Sequence, residues 1–230
     1  MTQAEFDRFA TGYDEDLAKS LAVTGESREF YAQARIDWTA ERVAELGCQP
    51  RDILDYGCGD GANSPMLRVR FKADHVLGVD VSTASIAVAR QAAYGAGTSF
   101  LSTSEWRPGG AVDLAFSNGV FHHIPPAERE PCLGAIRQAL RRGGLLALWE
   151  NNPWNPGTHY VMAKCAFDEN AIKISPRAAR KLLVKSGFKI LQTDSLFYFP
   201  RPLRGLRVAE RWLSWLPLGG QYLVLCQNPE

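Results

Sequence analysis

The most informative part of this 230-residue chain is Ile53-Leu54-Asp55-Tyr56-Gly57-Cys58-Gly59-Asp60-Gly61. Two apolar residues end a buried strand, and three glycines then stand at alternate positions. Because glycine lacks a Cβ atom, a backbone built in this way can turn tightly and touch a ligand directly. The carboxylate of Asp55 directly precedes the turn, which favours a ligand with a positive group and disfavours a phosphate.

Apolar strand patterns and helical patterns alternate along most of the chain. The predicted strands cover about residues 52–56, 76–79, 99–101, 112–116, 145–149, 189–197 and 222–227. The predicted helices cover about residues 26–47, 63–71, 82–93, 126–141, 175–186 and an amphipathic stretch at 199–219. Such alternation predicts an α/β fold in which helices cover both faces of a mostly parallel, doubly wound sheet.

Several polar residues stand where the predicted strands end. They are Asp55, Asp80, Ser104, Asn118 and Glu150. In open parallel sheets, ligands bind at the carboxyl ends of the strands, near the point where the strand order reverses. We therefore expect these side chains to share one ligand-binding edge of the sheet.

The glycine loop also fits a second class of protein. Gly57, Gly59 and Ala62 match the dinucleotide fingerprint G-x-G-x-x-G/A, and Asp80 stands about 20 residues downstream, where a ribose-binding acid is expected. A nicotinamide or flavin enzyme is therefore an alternative. Against it stands Asp55, because a carboxylate would repel a pyrophosphate.

Residues 50–150 resemble class I S-adenosylmethionine (SAM) dependent methyltransferases of the small-molecule type. The resemblance is carried by the glycine loop and by the segment from Val112 to Pro125, which is similar to the fourth-strand segment of that family. It implies a Rossmann-like methyltransferase fold with seven strands, of which the last is antiparallel. It also implies SAM as the cofactor, with the glycine turn under the cationic amino-acid part of SAM.

The same resemblance assigns roles to individual residues. Asp80 would accept hydrogen bonds from both ribose hydroxyls, and Arg35 would pair with the SAM carboxylate. Where the family usually has an acid for the adenine amino group, this chain has Ser104 followed by Glu105, so the adenine contact stays open between these two and a backbone group. The predicted cofactor-binding residues are Tyr13, Arg35, Asp55, Gly57, Cys58, Gly59, Asp80, Val81, Ser104, Glu105, Asn118 and Gly119.

Methyl transfer from a sulfonium needs alignment of acceptor and methyl group more than it needs acid–base catalysis. Orientation of this kind can supply roughly 7–11 kcal/mol. The candidates for a general base are His122, His123, Glu150 and His159. No metal is predicted, because the five cysteines are odd in number and form no C-x-x-C pair.

We expect one domain over residues 1–230. Residues 1–47 would form an N-terminal helical lid with Tyr13, and residues 151–175 and 199–219 would be substrate-side insertions. Their aromatic residues and basic edge favour O-methylation of a hydroxyl on an aromatic or hydrophobic metabolite. The alternatives are N- or C-methylation, a nicotinamide-linked oxidoreductase, and a non-catalytic SAM-binding partner protein.

The net charge of +1 gives no general case for a nucleic-acid partner. Asn152-Pro153-Trp154 is similar to the N-P-P-Y motif of adenine methyltransferases, but it follows the fifth strand instead of the fourth. The arginine-bearing segment 199–219 suits a lid or dimer face better than a membrane surface. The first residues carry no apolar run, so we expect a cytoplasmic protein. We expect it to be a monomer or a homodimer.

Overall fold

The computed structural model describes residues 20–92, 94–165 and 168–229, so residues 1–19 of the predicted lid, with Tyr13, lie outside the described residues. Seven strands form one sheet. They are β1 (Asp52–Tyr56), β2 (His75–Asp80), β3 (Thr98–Ser102), β4 (Val112–Asn118), β5 (Leu140–Asn151), β6 (Lys189–Leu196) and β7 (Gln221–Gln227).

The strand order is β3-β2-β1-β4-β5-β7-β6. Strand β7 runs antiparallel to both of its neighbours, and the other pairings are parallel. This confirms the predicted doubly wound sheet with an antiparallel last strand. The order reverses between β1 and β4, so the carboxyl ends of these two strands flank the place where such sheets bind ligands.

Helices cover both faces of the sheet. The α-helices are α1 (Arg28–Glu45), α2 (Asn63–Phe71), α3 (Thr83–Gln91), α4 (Pro126–Ala139), α5 (Pro156–Lys164), α6 (Pro176–Lys185) and α7 (Glu210–Leu213). On one face, α1 and α2 bury Ile36, Val43 and Leu67. On the other face, α4 and α6 bury Leu133, Ile136, Ala179 and Leu183.

Strand β5 shows how the sheet separates the two apolar clusters. Leu145, Ala147 and Trp149 pack with α1 and α2, while Leu146 and Leu148 pack with α4 and α6. The alternation follows from the two-residue period of a strand, and both sets are apolar because both faces are covered.

The predicted helix over 126–141 is too long, because α4 ends at Ala139 and β5 begins at Leu140. The buried side chain of Asn228 lies at this junction. Its amide nitrogen donates to the carbonyl oxygens of Arg137, Leu140 and Arg141 at 3.1–3.4 Å. The contact with Arg137 supplies a donor to a carbonyl in the last turn of the helix, and the other two contacts hold the first residues of β5.

Two further elements differ from the prediction. The connection predicted at 151–175 contains α5, whose N-cap Asn155 accepts a hydrogen bond from the backbone of Thr158 at 3.1 Å. The stretch at 199–219 is no regular α-helix: a 3-10 segment, Arg201–Ala209, leads into the single turn α7. Pro202 and Gly205 disfavour a continuous α-helix there.

Within the described ranges, every helix is too short or too polar to cross a lipid bilayer.

We expect Asn228→Ala to lower the free energy of unfolding by about 1–3 kcal/mol, because buried carbonyls lose their donor. The isosteric Asn228→Asp should cost at least as much, since a carboxylate would face carbonyl oxygens. Urea unfolding measures both, and Gln49→Ala, at an exposed position, is the control. Equal stabilities for all three variants would contradict this account of the end of α4.

Candidate functional site

The glycine loop after β1 needs glycine for steric reasons. Gly57, Gly59 and Gly61 have φ values of 76°, 55° and 80°, in the left-handed region that other residues avoid. The Gly57 amide donates to the carbonyl of Val79 at 2.7 Å. A Cβ atom on Gly57 would lie 2.2 Å from a methyl group of Val120, so the chain after β1 passes directly against the turn after β4.

Two carboxylates stabilise this loop and the residues next to it. Asp55 is buried and accepts a hydrogen bond from the Ser64 hydroxyl at 2.8 Å. Burial raises the pKa of Asp55 to about 7, and the nearby Asp80 adds to the shift. Asp80, at the end of β2, accepts from the backbone amides of Gly59 and Ser82, both at 2.8 Å.

A third carboxylate of the loop, Asp60, forms a two-pronged ion pair with Arg28. Both nitrogen–oxygen distances are 2.7 Å. Although burial opposes the shift, the guanidinium lowers the pKa of Asp60. The pair ties the start of α1 to the glycine loop. Sequence reasoning missed Arg28, since no motif distinguishes it from other arginines of α1.

The predicted Arg35 lies on α1 two turns beyond Arg28. It is buried, and its guanidinium donates to the side chain of Gln221 at 2.8 Å. The guanidinium of Arg35 therefore lies at the start of β7, whereas the guanidinium of Arg28 contacts the glycine loop itself. Pairing of Arg35 with a cofactor carboxylate stays a prediction.

Glu105 has a structural task in the turn after β3. Its carboxylate accepts from the backbone amide and hydroxyl of Ser102 at 2.8 and 2.9 Å, and from Arg90 at 2.9 Å. The Ser104 hydroxyl lies 2.8 Å from that of Ser102. Both residues thus stand at the end of β3, as expected, and their contact with adenine stays a prediction.

The remaining predicted cofactor residues lie on the same edge of the sheet. Cys58 is buried with Phe100, and Val81 is exposed beside Asp80. Gly119 has a φ of 66°, and its amide donates to the carbonyl of Trp149 at 2.9 Å. This bond fixes the turn after β4 against β5, and Asn118 precedes it.

A buried pair of side chains follows this turn. The Nδ1 atom of His122 lies 2.6 Å from a carboxylate oxygen of Glu150, and the other oxygen accepts from the Phe121 amide at 2.7 Å. Burial opposes protonation of His122, but the carboxylates of Glu150 and Asp168 outweigh it and raise the pKa of His122 to about 9. The sequence pointed to both members of this pair.

His123 and Asp168 complete a cluster around His122. The two imidazole rings lie 4.1 Å apart between centroids. One oxygen of Asp168 lies 3.4 Å from Nε2 of His122 and 3.4 Å from Nε2 of His123. Burial and the charge of His122 lower the pKa of His123. Asp168 was missed by sequence reasoning, since it lies far away along the chain.

The fourth candidate base, His159, lies elsewhere. It is exposed on α5, where Nε2 is 2.6 Å from the carbonyl oxygen of Pro153 and Nδ1 is 3.2 Å from the Lys173 ammonium. The structure therefore brings together His122, His123 and Glu150 and separates them from His159.

A cavity of about 550 Å³ opens beside Asn118, Gly119 and the two histidines. Many of its lining residues are aromatic: Phe30, Tyr31, Tyr160, Phe197, Tyr198 and Phe199. Three arginines also line it. Arg28 forms an ion pair with Asp60, Arg207 forms one with Glu26 at 2.8 Å, and Arg35 donates to the side chain of Gln221.

Residues 53–144 match a family model described as a methyltransferase domain. The trans-aconitate 2-methyltransferase of Rhodopseudomonas palustris strain BisB18 is 28% identical over 146 residues, which cover 64% of this chain and 52% of that protein. The enzyme of the same name from Escherichia coli O157:H7 strain EC4115 is 32% identical over 142 residues, covering 61% and 55%. The chain thus spans about half the length of these curated relatives.

A SAM-dependent methyltransferase from Thermotoga maritima shares the fold over its whole length. The TM-score is 0.63, the identity is 19%, and the match covers 99% of this chain and 100% of that one.

We expect Gly57→Ala to destabilise the fold by about 2–5 kcal/mol, because left-handed backbone strain and overlap with Val120 add together. Gly59→Ala is the matched control: its added Cβ would meet open space, so only strain of about 1–2 kcal/mol remains. Urea unfolding compares the two. If Gly59→Ala cost as much as Gly57→Ala, the close approach to Val120 would not be the cause.

The raised pKa of Asp55 predicts a dependence of stability on pH. Between about pH 4 and pH 7 the unfolded chain releases this proton while the folded chain keeps it, so stability falls as pH rises through that window. In Asp55→Asn the fall should be smaller by up to about 4 kcal/mol.

Urea unfolding at about pH 4 and about pH 7.5 measures this difference. Asp52→Asn, at the opposite end of β1, is the control and should keep the parent slope. An unchanged slope in Asp55→Asn would show that Asp55 ionises normally in the folded protein.

Proposed function

We propose that this chain, which carries a class I SAM-dependent methyltransferase domain, transfers a methyl group from SAM to an oxygen atom of a small aromatic or hydrophobic metabolite. One observation carries the proposal. A cavity of about 550 Å³ whose lining includes six aromatic side chains adjoins Asn118 and Gly119, at the strand end where the resembled family holds its cofactor.

The residues around the glycine loop fit SAM. Asp55 and Asp80 bring two carboxyl groups to one end of the sheet, where Asp60 is already paired with Arg28, and these two groups suit a ligand with an ammonium and a sulfonium. The carboxylate of Asp80 accepts one backbone amide on each oxygen and has acceptor capacity left for the two hydroxyls of a ribose. Because Gly57 is a glycine, no side chain projects from the loop at this position.

When bound, SAM supplies an electrophilic methyl group. The task of the protein is then to hold an acceptor oxygen in line with that group, which is worth roughly 7–11 kcal/mol. His122 and His123 line the cavity next to Gly119 and are the groups best situated to hydrogen-bond the acceptor oxygen. Glu150 positions the ring of His122.

The charges around the cavity favour an acceptor of low polarity. Arg28 and Arg207 are each paired with a carboxylate, so the protein itself already neutralises most of the positive charge of both side chains. Tyr31 and Phe197 pack edge to face, with ring centroids 4.9 Å apart, and add apolar surface. An aromatic or hydrophobic hydroxyl compound suits such walls.

A second acceptor class is a carboxylate, which would yield a methyl ester. Arg35 favours it, because this buried guanidinium lines the cavity and guanidinium groups bind carboxylates through paired hydrogen bonds. The names of the relatives point the same way, since trans-aconitate is a carboxylate. The two classes differ in the product and can be told apart.

The test is incubation of the protein with deuterated-methyl SAM and small-molecule extracts, followed by mass spectrometry. We expect one labelled product that survives mild alkaline treatment, as an ether does; loss of the label would identify a methyl ester. Asp80→Asn should weaken binding of S-adenosylhomocysteine by about 10- to 100-fold, through lost charged hydrogen bonds.

Asp74→Asn is the matched control, because Asp74 is exposed and pairs with Arg51 far from the glycine loop. Tight binding of NAD together with no binding of S-adenosylhomocysteine would overturn the proposal.

A further inference from the structure

The spacing around Asp168 is unusual for a hydrogen-bonded cluster. Its oxygen stands 3.4 Å from Nε2 of both His122 and His123. A charge-assisted hydrogen bond between such groups would measure about 2.7–2.9 Å. Both distances are therefore too long for such a bond, and by a similar amount.

We propose that Nε2 of His122, Nε2 of His123 and the carboxylate of Asp168 form a binding site for a divalent transition-metal ion, with Zn²⁺ as the ion that fits best. The three ligand atoms lie within 4.8 Å of one another. Two imidazole nitrogens with one carboxylate oxygen form a donor set that zinc accepts in catalytic sites.

The distances also favour tetrahedral geometry. Zinc binds nitrogen and oxygen ligands at about 2.0–2.2 Å, so two ligands at a tetrahedral angle are about 3.3–3.5 Å apart. Both histidine–aspartate distances agree with this value. An octahedral ion with ligands at right angles would require closer pairs, of about 3 Å.

Glu150 prepares His122 for this role. Because its carboxylate lies 2.6 Å from Nδ1, Glu150 holds a proton on that nitrogen, so Nε2, which faces Asp168, is the nitrogen that would release its proton to an incoming ion. The Phe121 amide fixes the other carboxylate oxygen at 2.7 Å. Histidine ligands of metals commonly have such a carboxylate behind them.

The segment that carries Asp168 is anchored to the histidines through the backbone. The amide of Ile172 donates to the carbonyl of His122 at 2.7 Å, and the amide of Ala171 donates to the carbonyl of Asp168 at 3.0 Å. Arg129 also donates to the carbonyl of Ile172, at 2.8 Å. Asp168 is therefore held near the imidazoles by contacts other than its own side chain.

The fourth position of a tetrahedral ion would be open toward the cavity, which all three ligands line. An acceptor oxygen there would be polarised and its proton more readily lost. This role in methyl transfer rests on the proposed function, whereas binding of the ion does not.

The test uses tag-free protein, freed of metal with a chelator and titrated with Zn²⁺ by calorimetry and with Co²⁺ by visible absorption. We expect one ion per chain and the intense cobalt bands of a tetrahedral site. Asp168→Ala should weaken Zn²⁺ binding at least 100-fold, and Glu150→Gln should weaken it about 10- to 100-fold.

Glu169→Ala is the matched control, since it removes the exposed acid next to Asp168 and should bind like the parent. Binding of S-adenosylhomocysteine confirms that each variant is folded and tests the cofactor cleft separately. Should Asp168→Ala not fold, Asp168→Asn and the parent's cobalt spectrum decide. No stoichiometric binding, an octahedral spectrum, or equal binding by the Asp168 and Glu169 variants would overturn the proposal.

Discussion

The contact between Glu150 and His122 is the interaction on which the rest of the candidate site depends. Glu150 belongs to β5, and its carboxylate holds both the amide of Phe121 and the imidazole of His122 in the turn after β4. That turn sets the path of Gly119 and the edge of the cavity. A buried carboxylate with both oxygens bonded thus joins the sheet, the turn after β4 and the edge of the cavity.

Much of the fold was predictable, because its signals are local. The bounds of β1 and α2 agree with the structure residue for residue, since an apolar run is followed by glycines and then by a helix. The N-cap of α3 was equally plain: the Ser82 hydroxyl accepts from the amide of Ser85 at 3.1 Å. The ends of α4 and β5 were not, because the contacts of Asn228 come from the far end of the chain.

The residues of the candidate site also divide into those that were predictable from the sequence and those that were not. Asp55, Asp80 and Glu150 were identified because each directly follows a run of apolar residues. Arg28 and Asp168 were not, because their partners are distant in sequence and no spacing marks them. The expectation of no metal came from the cysteines alone; a site that combines adjacent histidines with an acid from another loop has no simple sequence pattern.

The ion pair between Glu26 and Arg207 joins the segment before α1 to the 3-10 segment before α7, and Arg207 lines the cavity. Arg201 adds a hydrogen bond to the carbonyl of Gly25, and Arg211 adds an ion pair with Glu41. A graft that replaced only the segment with Arg207 would leave the largely buried carboxylate of Glu26 without this guanidinium, so the two segments have to be exchanged together in a chimaera.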